Sequence, residues 1–157
     1  NSVTLMAASK TFNVAGLGCS FAIIPNASIR KDWQNRMTDL IPHPNFFGYI
    51  AAEVAFTQCD DWHKALLKHL RANRNLLSEQ INKLEGITYR PSPATFLAWI
   101  ESSNGEALDS HFIKAGIMPS EGKFFGNEQN VRLNFGTGKD TVQQAMTLLT
   151  DYWNNRS

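Results

Sequence analysis

Apolar positions in this 157-residue chain change their period several times, and each change marks an element. Gly18 to Pro25 is a short apolar run closed by proline, which predicts a buried strand. Asn26 or Ser28 can cap a helix that carries Ile29, Trp33, Met37 and Leu40 on one stripe, and Pro42 and Pro44 stop it. Asn45 to Gln58 is apolar nearly all round, the pattern of a helix buried on several sides or lying in a subunit contact. From Asp61 to Leu84, Trp62, Leu66, Leu70, Leu77, Ile81 and Leu84 keep helical spacing, with Asp60 and Asp61 at the start and Gly86 just past the end. Such a helix would be about 36 Å long, more than most single compact domains hold, so it reads as a spanning element.

Beyond that helix the period shortens. Ile87 to Tyr89 and Thr95 to Ile100 are rich in β-branched and aromatic residues and are separated by Arg90-Pro91-Ser92-Pro93, which predicts two strands. Asp109 to Ala115 is a short helix ended by Gly116, and Val131 to Phe135 is a strand after the Gly126-Asn127 turn. Thr137 with Asp140 three residues on has the form of a capping box for a helix over Asp140 to Trp153, whose Val142, Ala145, Met146, Leu149 and Trp153 face one side. The expected class is α/β, with a small α+β domain at the end in which helices cover one face of a small sheet. The chain shows neither an internal repeat nor a low-complexity segment.

Composition adds a constraint. The chain is 43% hydrophobic and 18% charged, globular but below the roughly 25% charge typical of soluble domains, so some of its surface is expected to be covered by other protein. A net charge of +1 with no basic stripe argues against a nucleic-acid partner. No apolar run approaches the roughly 18 residues of a membrane span, and no signal peptide is visible. Cys19 and Cys59 form neither a CxxC pair nor a disulfide framework, which suits a reducing cytoplasm. His43, His63, His69 and His111 lack metal-ligand spacing, so no metal is expected.

Three segments carry a family resemblance. Leu5-Met6-Ala7-Ala8-Ser9-Lys10-Thr11-Phe12-Asn13-Val14-Ala15-Gly16-Leu17 resembles the segment around the cofactor lysine of fold type I pyridoxal phosphate (PLP) enzymes. Pro93-Ala94-Thr95-Phe96-Leu97-Ala98-Trp99-Ile100 is similar to a small-domain strand of the carbon-sulfur lyases. Lys114 to Gly126, followed by Val131-Arg132-Leu133-Asn134-Phe135-Gly136, resembles the family's segment ending in a substrate arginine. The likeness is greatest to the cystathionine beta-lyase-like branch of the class I/II aminotransferase superfamily. It implies the C-terminal portion of a fold type I PLP-dependent transferase, with residues 1–60 ending the large PLP-binding domain, 61–84 forming the interdomain helix and 85–157 the small domain.

The same resemblance implies site roles. Lys10 would hold the cofactor as a Schiff base and then act as general base, and Arg132 would grip the alpha-carboxylate of an amino acid substrate. Read from the residues alone, Lys10 is a surface amine and Arg132 a strand arginine that neutralises an acid or lies at a sheet edge. A Schiff-base lysine must be neutral for part of its cycle, and the small and apolar residues Thr11 to Leu17 would permit its burial.

The phosphate positions depart from the family pattern. Many fold type I aminotransferases carry a serine three positions before the lysine and an arginine after it; here Ala7 and Gly18 stand there. Ser9 is left as the local candidate for phosphate, although a serine beside a turn is more often a cap. Asn13 and Asn134 also recur in the likeness, but turn geometry accounts for both. Trp99, Phe124 and Phe125 could line a substrate entrance, with core packing as the favoured reading.

The implied activity is beta-elimination from cystathionine or cysteine conjugates, giving pyruvate, ammonia and a thiol. The alternatives are a class I/II aminotransferase and a non-catalytic PLP-fold regulator. The implied partners are the N-terminal portion of the same enzyme and a second subunit in a homodimer, and the isolated chain is expected to be inactive.

Overall fold

A computed structural model describes residues 1–38, 40 and 42–156; Asp39, Ile41 and Ser157 lie outside it. The chain divides into two compact units, Asn1–Ala65 and Leu66–Ser157.

In the first unit β1 (Thr4–Ala7) and β2 (Ser20–Ile23) form an antiparallel ribbon, Thr4 opposite Ile23 and Ala7 opposite Ser20. Between them lie α1 (Ala8–Thr11) and a 3-10 turn at Ala15–Leu17. Two helices follow, α2 (Ala27–Met37) and α3 (Phe46–Gln58). Of the two expected caps, Asn26 is used: its side chain accepts from the Ile29 N–H at 3.1 Å. Asn45 caps α3 in the same way, accepting from the Gly48 N–H at 2.8 Å.

Two expectations change here, and of the two readings of the apolar helix the subunit contact is the one left. The stripe on α2 stops at Met37, and Leu40 lies beyond the helix end. The strand expected to be buried is exposed at each of its four positions. The apolar helix α3 buries only Gly48 and Ala55, leaving Phe46, Phe47, Tyr49, Ile50, Val54 and Phe56 exposed. The cause is common to the last two, since a two-stranded ribbon and short helices cannot cover one another's second faces.

Helix α4 (Asp60–Ile81) begins in the first unit and ends in the second. Its 22 residues make it about 33 Å long. It stops three residues before the sequence pattern does, because Asn82 has another task. The Asn82 side chain donates to the Tyr89 carbonyl at 3.1 Å and accepts from the Tyr89 N–H at 2.9 Å, pinning the next strand. Gly86, at φ 83°, then makes the left-handed turn that most other residues avoid.

The second unit is a four-stranded antiparallel sheet in the order β3 (Ile87–Tyr89), β4 (Leu97–Ser102), β6 (Val131–Asn134), β5 (Ser120–Glu121). Alternation along the strands sends Ile87, Tyr89, Ala98, Ile100, Val131 and Leu133 into one core with α4, α5 (Leu108–Lys114) and α6 (Lys139–Asn155). Leu77, Ile81, Phe112 and Leu149 are fully buried in it, each stabilising the fold by about 1.5–3 kcal/mol. The opposite face, with Leu97, Trp99, Arg132, Asn134 and Ser120, carries no buried residue. The sheet is therefore covered by helices on one face, as the pattern predicts.

Two local devices differ from expectation. The expected capping box at Thr137 is not formed: the N-cap of α6 is Gly138, with no side-chain cap. The Thr137 carbonyl instead accepts from the buried Asn73 Nδ2 at 2.9 Å, and the same nitrogen donates to the Phe135 carbonyl at 3.0 Å. His69 Nε2 also meets the Thr137 carbonyl, at 2.8 Å. A carbonyl only accepts, so this contact places the ring proton on Nε2, and the 3.2 Å approach of Asn73 Nδ2 to that nitrogen joins two donors. Strand β4 starts two residues late because Thr95 adopts φ 70°, a left-handed conformation that a β-branched residue rarely takes.

Asn73 therefore ties α4 to the loop that follows β6. Asn73→Ala is expected to destabilise the second unit by about 2 kcal/mol, since the Phe135 carbonyl loses its buried donor and the Thr137 carbonyl keeps only His69. Urea unfolding monitored by tryptophan fluorescence measures it; an unchanged midpoint would show the tie to be idle. Among the described residues no helix is long and apolar enough to cross a membrane.

Candidate functional site

Lys10 sits in the single turn of α1, raised on the loop that joins β1 to β2. The loop is shaped by its backbone. Phe12 N–H donates to the Ala8 carbonyl at 2.9 Å and Val14 N–H to the Ser9 carbonyl at 3.1 Å, while Asn13 takes φ 56° and Gly18 φ 57°. Asparagine tolerates the left-handed region better than most residues, which accounts for Asn13 without a ligand.

Helix α3 anchors this loop. Asn45 Nδ2 donates to the Leu17 carbonyl at 3.2 Å. A Cβ on Gly48 would stand 2.6 Å from the same oxygen, so only glycine allows the approach. Phe12 is held against Phe56, Trp62 and His63, with ring centroids 5.6, 6.1 and 5.5 Å away.

The Lys10 side chain is exposed, in contrast to the burial expected. The apolar ring of Phe12, which follows Lys10 by two residues, packs in the aromatic cluster against Phe56. Among the described residues Lys10 Nζ has no ion-pair partner. Ser9, next to it in α1, is half-buried, and its carbonyl receives Val14 N–H. Ala7 and Gly18 line an apolar depression of about 590 Å³ with Leu5, Phe21, Trp33 and Met37, and no arginine or lysine borders it. Among the described residues Lys10 is thus an unpaired primary amine, and the depression beside its loop offers no cationic group to a phosphate.

Arg132 belongs to the second unit, in the middle of β6 on the open face of the sheet. Register places it opposite Trp99 on β4 and opposite Ser120 on β5, so these three side chains share one row. Its Nη2 donates to Ser120 Oγ at 3.2 Å, and its Cζ lies 4.4 Å from the centroid of the Phe125 ring. Trp99 meets Phe125 edge-on, with centroids 5.9 Å apart and an interplanar angle of 87°. Trp99 is half-buried, Phe125 is 47% exposed and Phe124 is 72% exposed, so the favoured core-packing reading fails for the two phenylalanines, and Trp99 with Phe125 forms an open aromatic pair beside Arg132.

No carboxylate of the described residues pairs with Arg132. The acid nearest in sequence to its Ser120 partner, Glu121, is engaged by Lys123. The hydrogen bond to Glu121, reinforced by the charge of that carboxylate, raises the Lys123 pKa above its ordinary value. Asn134 is satisfied locally, accepting from the Gly136 N–H at 2.8 Å.

Sequence reasoning did not single out Ser120 or Asn73. A two-residue strand gives no alternation to detect, and an asparagine inside a helix pattern looks like a solvated position until the loop across from it is known. Among the described residues no group of three His, Cys, Asp or Glu side chains is placed to hold a metal ion.

A helix-backed antiparallel sheet, a helix of 22 residues and a lysine-bearing hairpin loop together are the fold of part of a fold type I PLP enzyme. A crystal structure of OvoB superimposes with a TM-score of 0.94 at 36% identity, covering 99% of this chain and 41% of that one. Cystalysin from Treponema denticola, whose crystal structure contains pyridoxal 5'-phosphate, gives 0.87 at 26% identity, covering 98% and 41%. The cystathionine beta-lyase of Corynebacterium glutamicum is 26% identical over 149 residues, 92% of this chain and 40% of that protein.

Aminotransferases are also among the relatives. No family model matches the chain. The homologues and structural neighbours of this chain are accordingly PLP-dependent proteins of the class I/II aminotransferase and cystathionine beta-lyase-like group. The chain spans about two fifths of the length of the relatives it matches.

Proposed function

We propose that this chain works as part of a PLP-dependent carbon-sulfur beta-lyase that acts on cystathionine or cysteine conjugates. The observation that carries the reading is the half-buried Arg132 guanidinium, oriented by a hydroxyl and an aromatic ring and left without a carboxylate of its own unit. Such a group suits the alpha-carboxylate of an amino acid, which it can hold by two parallel N–H donors. Lys10 supplies the primary amine, and Ser9 is the local hydroxyl available to a phosphate. In this reading residues 1–60 close a large cofactor-binding domain, 61–84 connect, and 85–157 form the small domain.

Pyridoxal 5'-phosphate, when bound, supplies an aldehyde carbon for an amine and a ring that draws electrons from the substrate alpha carbon. The chain's own residues do the rest of what is proposed here. Arg132 fixes the carboxylate and so decides which alpha bond stands ready to break. Lys10 Nζ, once free, takes the alpha proton as general base. Departure of the thiolate from the beta carbon would then leave aminoacrylate, whose imine tautomer water hydrolyses to pyruvate and ammonia.

The relatives bearing the name cystathionine beta-lyase support the lyase over its rival. An aminotransferase would use the same lysine to return the proton elsewhere. In the full-length enzyme, pyruvate and free thiol released from cystathionine support the lyase; a keto acid formed only with an amino acceptor overturns it in favour of transfer. A cytoplasmic homodimer is part of the proposal, the first half resting on two unpaired cysteines and the second on the exposed apolar side of α3.

The isolated 157-residue chain is expected to take up PLP poorly, because it exposes Lys10 and the depression beside the Lys10 loop is apolar, without an arginine or lysine for a phosphate. Mixing the chain with PLP, reducing with borohydride and mapping the adduct by mass spectrometry tests this. Scattered substoichiometric labelling is the expected result, and tight one-to-one labelling of Lys10 would overturn it.

A further inference from the structure

We infer that Ser120 and Phe125 are positioning residues for Arg132, setting its guanidinium in one orientation so that a flat carboxylate meets it edge-on. The inference deepens the proposed function and rests on the carboxylate role given there to Arg132. A guanidinium is a rigid plane with five N–H donors, and it grips a carboxylate by two parallel bonds only when that plane is correctly turned. On a long flexible stem an exposed arginine samples many orientations; here two contacts remove different freedoms. The Phe125 ring, 4.4 Å from Cζ, covers one face of the plane and fixes its tilt. Ser120 Oγ, 3.2 Å from Nη2, fixes rotation within the plane and consumes one donor.

The backbone explains why both contacts come from one short segment. Ser120 lies opposite Arg132 in the sheet, and the chain turns at Gly122 through a 3-10 turn ending at Phe125. Five residues after the strand neighbour, the ring is thereby returned over the same guanidinium. Phe125 is 47% exposed and would swing freely without support, which the edge-on Trp99 provides from the other side of the row. Glu121, the acid between these two residues, is occupied by Lys123. The clamp therefore orients Arg132 without neutralising it, as a fork that must receive an external carboxylate requires.

The test uses the full 157-residue chain, nitrogen-15 labelled, with acetate as the probe and the Arg132 Nε–H resonance as the readout, assigned by its loss in Arg132→Lys. In the wild type that proton should be shifted by the Phe125 ring current and should move on acetate titration. Phe125→Leu should abolish the ring-current shift and weaken acetate binding about fivefold, and Ser120→Ala about threefold. Phe125→Tyr and Ser120→Thr should retain the wild-type behaviour, which separates positioning from loss of fold. In the full-length enzyme the Leu and Ala variants should raise KM more than they lower kcat.

Two results overturn the inference in distinguishable ways. Acetate affinity unchanged in Phe125→Leu and Ser120→Ala, with binding lost in Arg132→Lys, removes the positioning role and leaves the carboxylate role standing. A wild-type resonance that acetate does not move, or acetate binding that survives Arg132→Lys, removes the carboxylate role itself.

Discussion

Lys10→Ala in the full-length enzyme is expected to lower pyruvate release from cystathionine by about 10³-fold or more, with the protein still folded. The residue sits on an exposed loop whose shape comes from its backbone, from Asn45 and from Gly48, so removing its side chain costs little stability. What it removes is the proposed proton-transfer group, and loss of such a group alone is worth about 10²–10⁴-fold. Lys10→Arg should be nearly as inactive, because a guanidinium stays protonated at every working pH and cannot accept the alpha proton. Single-turnover assays with purified variants provide the measurement. A variant within tenfold of wild type would assign the chemistry to another amine.

Gly122→Ala is expected to be the most damaging single methyl in the second unit, costing on the order of 3–4 kcal/mol. Its φ lies outside the left-handed region, so the reason is space. An added Cβ would overlap the backbone carbonyl oxygens of Asn127 and Asn130. Neither can retreat cheaply, because Gly122 N–H donates to the Asn130 carbonyl at 3.0 Å and Asn127 N–H donates to the Gly122 carbonyl at 3.1 Å. Relieving the clash breaks that pair and carries Phe125 away from Arg132. Chemical denaturation should show the lowered midpoint, and Gly16→Ala, where nothing stands within 4 Å of the new methyl, should leave it unchanged. Equal midpoints for the two variants would contradict the packing argument.

Much of the second unit was legible in the sequence because its elements obey simple periods. The alternation in Leu97-Ala98-Trp99-Ile100 and in Val131-Arg132-Leu133 is that of a half-covered sheet, and the stripe on α6 faces the core as its spacing implies. The long helix was visible for the same reason, and its early end was not, since only the partner strand shows why Asn82 leaves the helix. In the first unit, apolar content was a poor guide to burial. Strand β2 and helix α3 are as hydrophobic as a core and yet exposed, because hydrophobicity records the need for a partner surface and not its location. Lys10 and Arg132 came from resemblance to a family, while Ser120 had no signal at all, being half of a two-residue strand.

Thr95 holds a β-branched side chain at φ 70°, just before the residue whose carbonyl receives Phe135 N–H at 2.9 Å. A conformation of that kind costs on the order of 1–3 kcal/mol, and glycine would adopt it freely. A population bred only for heat resistance would drift toward Thr95→Gly early. Such a drift would replace a strained threonine by a relaxed glycine at the entrance to β4, the strand that pairs with the arginine-bearing β6.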